Sequence, residues 1–452
     1  MMRHALAALF LPFVLTMLLL CPSRVMAATG ETGEQELELV SSLVSMASYS
    51  DELSLLAREW LAETGWEFQS QTTATSLAQG RYHLVTKEMP DGHRAVLLAF
   101  PGTENAKDAK VDLRTRSVPF GGSSVEEFRD VAQQDRHATS YPLVHKGFDD
   151  YTMTALFHEP VDLAGSGACE TMGEHLAQEL RAHPTEVLYL TGHSLGGAAA
   201  ILTAARLSDM GVRPEQLRVI TFGSPAVGNA AFARYYEKRM QLTRIVMDGD
   251  PVAAALQSLG TRYVQFGERV VWKQDRSSAR FEHAMVVYLD RALRLYFSED
   301  EVGDGDMLES RSLAARGGIF VAVPQLDLDP LVAGDDTADI RILQGAWQAR
   351  YAPCTVQSDG QRGADMDVLI AEARAAQCRY AVRQHVSVKR SRDEADTVRV
   401  VLETSVYDAQ GTFITVVSKS TTDRRMTPLE AVAYLQFATL RDLDTVFVTQ
   451  NT

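Results

Sequence analysis

The sequence predicts an α/β fold in which a mostly parallel sheet is covered by helices on both faces, followed by a smaller α+β domain. Two observations lead to this prediction. Strand patterns alternate with helix patterns up to about residue 300, which is typical of a parallel sheet. The chain of 452 residues also exceeds the roughly 250–300 residues at which single cores stop growing. We therefore expect a first domain over residues 28–300 and a C-terminal domain over 301–452.

The first 27 residues are predicted to be a secretory signal peptide. A basic start precedes an apolar run from Ala5 to Leu20, which is short for a membrane span and contains Pro12. The small-residue pattern VMA predicts cleavage after Ala27. An uncleaved anchor and a lipid anchor on Cys21 are the alternatives. The first interpretation implies a secreted or periplasmic protein.

The elements of the first domain follow from hydrophobic periodicity and from Gly, Pro and Asp residues at their ends. Helical spacing predicts a long helix near the start and two more around the centre, and short apolar runs predict strands between them. The predicted helices cover residues 35–64, 172–183 and 196–211, and the predicted strands cover 81–87, 94–100, 186–190, 217–225 and 242–251, the last two including the Gly, Pro and Asp residues at their ends.

The second domain is predicted from a change of pattern after an acidic, glycine-containing linker at 298–306. Alternating residues predict strands and 3.6-residue spacing predicts helices, in the order β-α-α-β-β-β. The predicted segments are 318–325, 338–351, 366–377, 380–390, 397–408 and 412–420. No catalytic constellation is found in this part, and its protein partner, if it has one, is unknown.

Composition limits the classes of partner. The net charge of −15 and the lack of any lysine- or arginine-rich block argue against nucleic-acid binding and general affinity for anionic membranes. After signal cleavage three cysteines remain, and export to an oxidising compartment favours a bridge between Cys354 and Cys378, with Cys169 left over. The alternative is three buried, reduced cysteines, since spacing alone does not fix the pairing.

The segment LYLTGHSLGG (188–197) carries the chemistry. A serine hydroxyl is a poor nucleophile until a base removes its proton and donors stabilise the oxyanion. Ser194 follows an apolar strand and precedes a helix of small residues, and Gly192 and Gly196 at −2 and +2 allow a tight turn. We interpret Ser194 as a nucleophile, with His193 beside it in the turn. The alternative is an ordinary glycine-rich loop at a strand end.

A serine on a strand-to-helix turn of this kind forms a nucleophile elbow. Its catalytic partners are expected to follow along the chain in the order serine, acid, histidine. His283 and His385 are the histidines that follow Ser194. His283 lies in a predicted loop before a helix, which suits a base, whereas His385 lies within a predicted strand. Asp248 and Asp250 both follow a β-branched strand, and spacing alone leaves the acid open between them.

Two backbone N–H donors are needed for the oxyanion. Leu195, directly after the nucleophile, supplies the first. The second is expected from Thr103, after the strand 94–100 and the turn at Pro101–Gly102; a plain strand-ending turn is the alternative. No metal or other cofactor is needed, because the histidines lack paired ligand spacing and His145 is isolated.

Six segments resemble the class 3, fungal-type triacylglycerol lipase family of the α/β-hydrolase superfamily. They occur in the family's order: AFPGT (99–103), VHKGF (144–148), LTGHSLGGAAA (190–200), TFGSPAVGN (221–229), RIVMDGDPV (244–252) and HAMVVY (283–288). The resemblance implies an α/β-hydrolase fold, a D-x-V acid at Asp250, nucleophile Ser194, base His283 and oxyanion donors at Thr103 and Leu195.

The chain also departs from the family pattern. Pro101 and Gln265 stand where the family often has arginine and histidine, respectively. The segment after the oxyanion loop, ENAKDAKVDLRT (104–115), is charged where the family commonly has an apolar lid helix. Since apolar area sets affinity for a lipid surface, dependence on an oil–water interface is not expected to be strong. The C-terminal domain lies outside the resemblance.

The sequence therefore predicts a secreted serine carboxylic-ester hydrolase, a lipase, that cleaves acyl esters of lipids through an acyl-enzyme. Its partner is a lipid or small ester substrate, with transient contact to a lipid surface. A phospholipase A1 or a short-chain esterase is the alternative within this chemistry. A non-catalytic envelope binding module acting through the C-terminal domain is the alternative of another class.

Overall fold

The computed structural model of the chain describes residues 31–49, 52–76, 78–90, 92, 94–103, 116–134, 139–161, 170–253, 263–275, 281–298, 307–308, 312–330, 336–357, 365–390 and 397–448. The predicted signal peptide, Cys169 and the charged segment 104–115 lie outside these residues. The described chain divides into two compact units. One runs from Val40 to Trp272, and the other takes Glu31–Leu39 and the chain from Lys273 onward. No described helix combines the length and the apolar character that a membrane span needs.

The first unit alternates strands and helices. Its elements are α1 (Glu31–Ala47), which begins in the second unit, α2 (Glu52–Glu63), β1 (Glu67–Ala74), β2 (Gln79–Glu88), β3 (Arg94–Phe100), β4 (Ser117–Pro119), α3 (Val125–Ala132), β5 (Leu143–His145), α4 (Lys146–Leu156), β6 (Pro160–Val161), β7 (Glu170–Thr171), α5 (Met172–Ala182), β8 (Leu188–His193), α6 (Leu195–Asp209), β9 (Leu217–Phe222), α7 (Ala230–Tyr236), β10 (Gln241–Met247) and β11 (Glu268–Trp272).

Seven strands form the main sheet of this unit in the order β1-β2-β3-β8-β9-β10-β11. The β1–β2 and β2–β3 pairs are antiparallel, and every later pair is parallel. Because these strands are parallel, their carboxyl ends meet at one edge of the sheet, and described helices connect β3 to β8, β8 to β9 and β9 to β10. The predicted mostly parallel α/β sheet is thereby confirmed.

The centre of this sheet is fully buried. Every residue of β8 is buried, and so is every residue of α6 from Gly196 to Ser208. The run Ala198–Ala200 lets the α6 backbone approach the sheet closely, and the helix contacts β3, β8 and β9. A helix buried on all sides belongs to the interior of a protein, and the buried charge of α6, Arg206, is paired with Asp149 (2.9 Å).

One predicted helix is divided. The prediction of one continuous helix over 35–64 is wrong, because α1 ends at Ala47 and α2 begins at Glu52. The apolar spacing continues across the break, so periodicity alone does not reveal it. The short break contains Tyr49, a residue that the sequence did not single out.

The second unit is an α+β structure. Its elements after the shared start of α1 are α8 (Met285–Ser298), β12 (Leu313–Val321), β13 (Gln325–Leu328), α9 (Thr337–Arg350), β14 (Tyr351–Val356), α10 (Met366–Ala375), β15 (Tyr380–Arg390), β16 (Val398–Asp408), β17 (Phe413–Asp423) and α11 (Pro428–Phe447). Because α8 packs against α9 and α11, the unit begins before the linker that was predicted to separate the domains.

The sheet of the second unit is mixed. Its order is β14-β12-β15-β16-β17, with β13 on β15; the β15–β16–β17 strands are antiparallel. A buried polar network fixes α9 and α11 on this sheet. The indole N–H of Trp347 donates to Gln384 Oε1 (3.1 Å), the Gln384 amide donates to Gln436 Oε1 (2.7 Å), and the Gln436 amide donates to the Leu343 carbonyl (3.0 Å).

The structure differs from the predictions for this unit in its elements and in its cysteines. Strands β13 and β14 were not predicted. The 20-residue helix α11 was not predicted, although Thr427 and Glu430 form a capping box with Pro428 at the first helical position. Cys354 and Cys378 are free thiols rather than a disulfide. Burial raises the pKa of Cys354 to about 12, with a further contribution from Cys378, so this thiol stays protonated.

Candidate functional site

The backbone at Ser194 is strained in the way a nucleophile elbow requires. Ser194 joins β8 to α6 with φ 56° and ψ −121°, and it is one of two non-glycine residues with positive φ in the described chain. Its N–H donates to the Phe222 carbonyl on β9 (2.9 Å), which holds the turn against the sheet. Non-glycine residues in such conformations cost energy and cluster at functional sites. The predicted sharp strand-to-helix turn is present.

The two flanking glycines have no room for a side chain. A Cβ on Gly192 would lie 2.4 Å from the Gly196 carbonyl carbon, and a Cβ on Gly196 would lie 2.0 Å from the Phe100 oxygen. Real Cβ atoms do not approach backbone this closely. The strand, the turn and the helix therefore close on one another only because these positions carry glycine.

Both predicted oxyanion donors lie beside this turn. Leu195 begins α6, so its N–H is among the donors at the positive end of the helix that have no partner within the helix. β3 pairs with β8 in register Phe100–Gly192, and this places the segment Pro101–Thr103 next to the elbow. Thr103 is the last described residue before the charged segment 104–115. The arrangement provides backbone N–H groups near a serine hydroxyl at the end of a helix.

The two candidate acids differ in burial. Both follow β10, which lies in parallel beside β9, so they are at the same sheet edge as Ser194. Asp248 is exposed, whereas Asp250 is 6% exposed. The N–H of Val252 donates to Asp250 Oδ1 (2.8 Å), which fixes the carboxylate at the start of a helical turn. A buried, oriented carboxylate suits the acid better than a solvated one, so burial favours Asp250.

Gln265, one of the departures from the family pattern, connects the loops at this edge. Its side-chain amide donates to the Ser224 carbonyl after β9 (3.1 Å) and to the Ala253 carbonyl in the turn after Asp250 (3.3 Å). A neutral amide therefore holds the loop of the candidate acid against the neighbouring loop.

The candidate base lies in the second unit. His283 is 7% exposed and sits in a turn closed by the Ala284 N–H, which donates to the Phe281 carbonyl (2.7 Å), immediately before α8. The Phe281 ring packs edge-on against the imidazole at 6.3 Å. The predicted loop position before a helix is thus present. His385 lies within β15, half-buried and opposite Glu403, as expected for a strand residue.

Tyr49 is a site-adjacent residue that sequence reasoning missed. Its hydroxyl is hydrogen-bonded to His193 Nδ1 at 2.5 Å, and a Cβ on Gly102 would lie 2.2 Å from that hydroxyl. Tyr49 therefore contacts both the elbow and the oxyanion loop. A lone tyrosine at a helix end gives no sequence signal of this role.

Within the part of the chain that the structure describes, His, Cys, Asp and Glu side chains form no group of three suited to a metal ion. His145 is buried at the end of β5 against the rings of Phe148 and Tyr263, at 4.3 and 6.0 Å. Its role is packing at a strand–helix junction.

Part of the first unit is similar in sequence to known proteins. Residues 97–258 match the family model described as Lipase (class 3), which confirms the resemblance over those residues. A lipase from Rhizopus niveus is 30% identical over 169 residues, 37% of this chain and 35% of that protein. Phospholipase A1-Igamma1, chloroplastic, from Arabidopsis thaliana is 38% identical over 171 residues, 36% of this chain and 32% of that protein.

The chain thus spans about a third of the length of these curated relatives. Among solved structures, lipase II from Rhizopus niveus superposes with a TM-score of 0.39 and 20% identity, covering 56% of this chain and 84% of that one. At that score the superposition is partial, and the fold rests on the strand order of the chain itself. The matched residues include Ser194 and Asp250 and end before His283.

Proposed function

We propose that this chain is a serine-dependent carboxylic-ester hydrolase that cleaves acyl esters of lipids through an acyl-enzyme. Ser194 is the nucleophile, His283 the general base and Asp250 the acid that orients the imidazole. The backbone N–H groups of Thr103 and Leu195 bind the oxyanion. No cofactor takes part in the steps proposed.

One observation carries the proposal: a serine at positive φ lies on a strand-to-helix turn between two glycines that have no room for a Cβ. Strain of this kind persists only where the surrounding structure over-determines it. An ordinary glycine-rich loop needs neither a serine at the strained position nor a helix that starts at the next residue. The match of residues 97–258 to class 3 lipases supports the same assignment.

In the acylation step His283 accepts the proton of the Ser194 hydroxyl as its oxygen attacks the acyl carbon of the ester. The carbonyl oxygen becomes negative and accepts hydrogen bonds from the N–H groups of Thr103 and Leu195. Each such bond contributes about 3–4 kcal/mol of transition-state stabilisation. The imidazolium, stabilised by Asp250, then gives its proton to the leaving alcohol oxygen.

In the deacylation step a water molecule replaces the alcohol. His283 removes a proton from the water, the hydroxide attacks the acyl-enzyme carbonyl, and the same donors hold the second oxyanion. Collapse of this intermediate frees the carboxylic acid and returns the proton to Ser194. The cycle needs no other reactant.

Lipid esters are the proposed substrate class, because the relatives that match the first unit are named as lipases and as phospholipase A1. The charged segment 104–115 supports weak dependence on an oil–water interface. The predicted signal peptide supports action outside the cytoplasm. Comparing initial rates on p-nitrophenyl butyrate, a triacylglycerol emulsion and phosphatidylcholine vesicles tests the substrate class.

The nucleophile is tested with Ser194→Ala, using hydrolysis of p-nitrophenyl butyrate by the full chain. We expect turnover to fall to background with an unchanged circular dichroism spectrum. Ser208→Ala, which removes another buried hydroxyl near the far end of α6, is the matched control and should retain parent turnover. Turnover by purified Ser194→Ala equal to that of the parent would remove Ser194 from the mechanism.

A further inference from the structure

The first helix presents a row of hydroxyl groups to the strand that leads into the elbow. Ser45 and Tyr49 are four residues apart, at the end of α1 and just beyond it, and Thr191 and His193 are two residues apart on β8. Side chains at these spacings share one helix face and one sheet face. Ser45 Oγ lies 3.1 Å from Thr191 Oγ1, and the Tyr49 hydroxyl lies 2.5 Å from His193 Nδ1.

Tyr49 touches both backbone segments that carry the proposed oxyanion donors. His193, its hydrogen-bond partner, is two residues before Leu195, and the Tyr49 hydroxyl also packs on the α-carbon of Gly102, directly before Thr103. A Cβ on Gly102 would lie 2.2 Å from the Tyr49 hydroxyl and 2.9 Å from the His193 carbonyl oxygen. The three groups therefore form a close contact in which each limits the position of the others.

The turn that carries Tyr49 is itself fixed. The Nε2–H of His83 donates to the Ser48 carbonyl (3.1 Å), and Arg58 Nε donates to the Ala47 carbonyl (2.7 Å). Burial, together with the positive charges of Arg58 and Arg81, lowers the pKa of His83 to about 4, so the ring is neutral at ordinary pH. The two hydrogen bonds thus fix the backbone after α1 and hold the side chain of Tyr49 in a defined place.

We propose that Tyr49 is a positioning residue for the oxyanion hole, acting through His193 and Gly102 to set the separation of the Leu195 and Thr103 N–H groups. The inference rests on the proposed function and adds a residue to it. The oxyanion charge develops only in the transition state, so loss of this contact lowers kcat and leaves KM nearly unchanged.

The experiment compares two full-length variants that each remove one hydroxyl from this row. Tyr49→Phe keeps the ring and loses the bond to His193, and Ser45→Ala loses the equivalent bond to Thr191, farther from the donors. With p-nitrophenyl butyrate we expect kcat to fall about 10- to 100-fold in Tyr49→Phe, since displaced catalytic groups cost this much. Ser45→Ala should stay within about threefold of the parent.

A trifluoromethyl ketone inhibitor, which forms a tetrahedral oxyanion adduct, provides the second readout. Its inhibition constant should weaken in Tyr49→Phe by about the same factor as kcat/KM. Because irreversibly inactive enzyme lowers the active concentration and leaves the inhibition constant unchanged, the constant remains informative for a variant that is partly lost during purification, provided that circular dichroism shows the remainder to be folded at the assay temperature. Ser45→Ala again serves as the control.

Three results would overturn the inference: kcat/KM of Tyr49→Phe within twofold of the parent, equal losses in the two variants, or unchanged ketone affinity in Tyr49→Phe. Turnover that survives Ser194→Ala contradicts the proposed function and the inference with it. Turnover that depends on Ser194 but not on Tyr49 contradicts the inference alone.

Discussion

The two compact units differ in how their share of the proposed chemistry is visible in the sequence. The first unit carries the proposed nucleophile Ser194, the proposed acid Asp250 and both proposed oxyanion donors at the carboxyl edge of the parallel strands, within the residues that match class 3 lipases. The second unit carries His283 ahead of α8, outside that match. The match to the family model therefore covers the proposed nucleophile, acid and oxyanion donors at the sheet edge. The proposed base lies in the second unit, which the match does not cover.

Each unit also contains a buried Asp–Arg pair. In the first, Arg206 on α6 donates to Asp149 on α4 (2.9 Å) and stacks on Phe120 and Phe128 at 3.7 and 4.2 Å. In the second, Arg294 donates to Asp290 within α8 (2.9 Å). One pair joins α4 to the last turn of α6, and the other lies within the helix that follows the proposed base.

The charge of Arg294 in that second pair is also stabilised from outside its own helix. Burial lowers the pKa of Arg294, but the negative charges of Asp290, Asp275 and Asp339 outweigh this and raise it, so the guanidinium is firmly charged. At the end of the same helix, Arg341 of α9 donates to the Phe297 carbonyl (3.3 Å). The helix α9 thus holds the end of α8, the helix that follows the proposed base His283.

The largest effect is expected at the base. His283→Ala should lower kcat/KM for p-nitrophenyl butyrate by about 10⁶-fold, because triad residues act as a unit and losing the base costs nearly as much as losing the whole triad. His385→Ala in β15 is the matched control in the same unit and should stay within twofold. A large loss in His385→Ala, or near-parent activity in His283→Ala, would show that the base was assigned wrongly.

A smaller but still large effect separates the two acids. Asp250→Asn should reduce kcat by about 10⁴-fold, since the neutral amide no longer orients or stabilises the imidazolium. Asp248→Asn changes an exposed side chain two residues away and should leave kcat near the parent value. Steady-state rates on the same ester measure both. Reversal of the two results would transfer the acid to Asp248.

The buried pairs are expected to report the stability of the two units separately. Asp149→Asn and Asp290→Asn each leave a buried guanidinium without its carboxylate, which costs about 3–5 kcal/mol. Differential scanning calorimetry should show the first variant lowering one thermal transition and the second lowering another. A single transition, shifted equally by both substitutions, would mean that the units unfold as one.

The smallest effect concerns pH. Burial raises the pKa of Asp339 to about 7 from an ordinary value of 3.8, with nearby Asp290 and Asp336 adding to the rise against Arg294. The folded state therefore binds this proton more tightly than the unfolded chain, so its contribution to stability is present below about pH 4 and is lost as pH rises to about 7. Asp339→Asn should raise Tm by several degrees near pH 8.

Near pH 3 and below, the Tm of Asp339→Asn should approach that of the parent, because the carboxyl is then mostly protonated in both the folded and the unfolded state. Melting curves across this range provide the test. A Tm difference that is independent of pH would contradict the raised pKa.

The sequence predicts the site best where chemistry requires a local pattern. Gly192 and Gly196 are required because a Cβ at either position would lie only 2.4 or 2.0 Å from a backbone atom. The G-x-S-x-G pattern therefore predicts the turn from local sequence. Strand β3 is predicted within its bounds because Ala95–Phe100 is a continuous apolar run. The acid was open between two residues until the resemblance, and then burial, favoured Asp250.

What the sequence misses depends on tertiary contacts. Tyr49 matters through a bond to a residue 144 positions away, and no local pattern encodes that distance. The break between α1 and α2 is hidden because apolar spacing continues through it. The helix α11 is different: the capping box at Thr427 and Glu430 with Pro428 is a readable start signal.

The central claim, that the strained Ser194 hydroxyl is an activated nucleophile, is tested most directly by a fluorophosphonate probe followed by peptide mass spectrometry of the full chain. The account predicts one adduct per molecule, on Ser194, that forms far more slowly in His283→Ala and is absent in Ser194→Ala. An adduct on another residue, or undiminished labelling of Ser194→Ala, would contradict it.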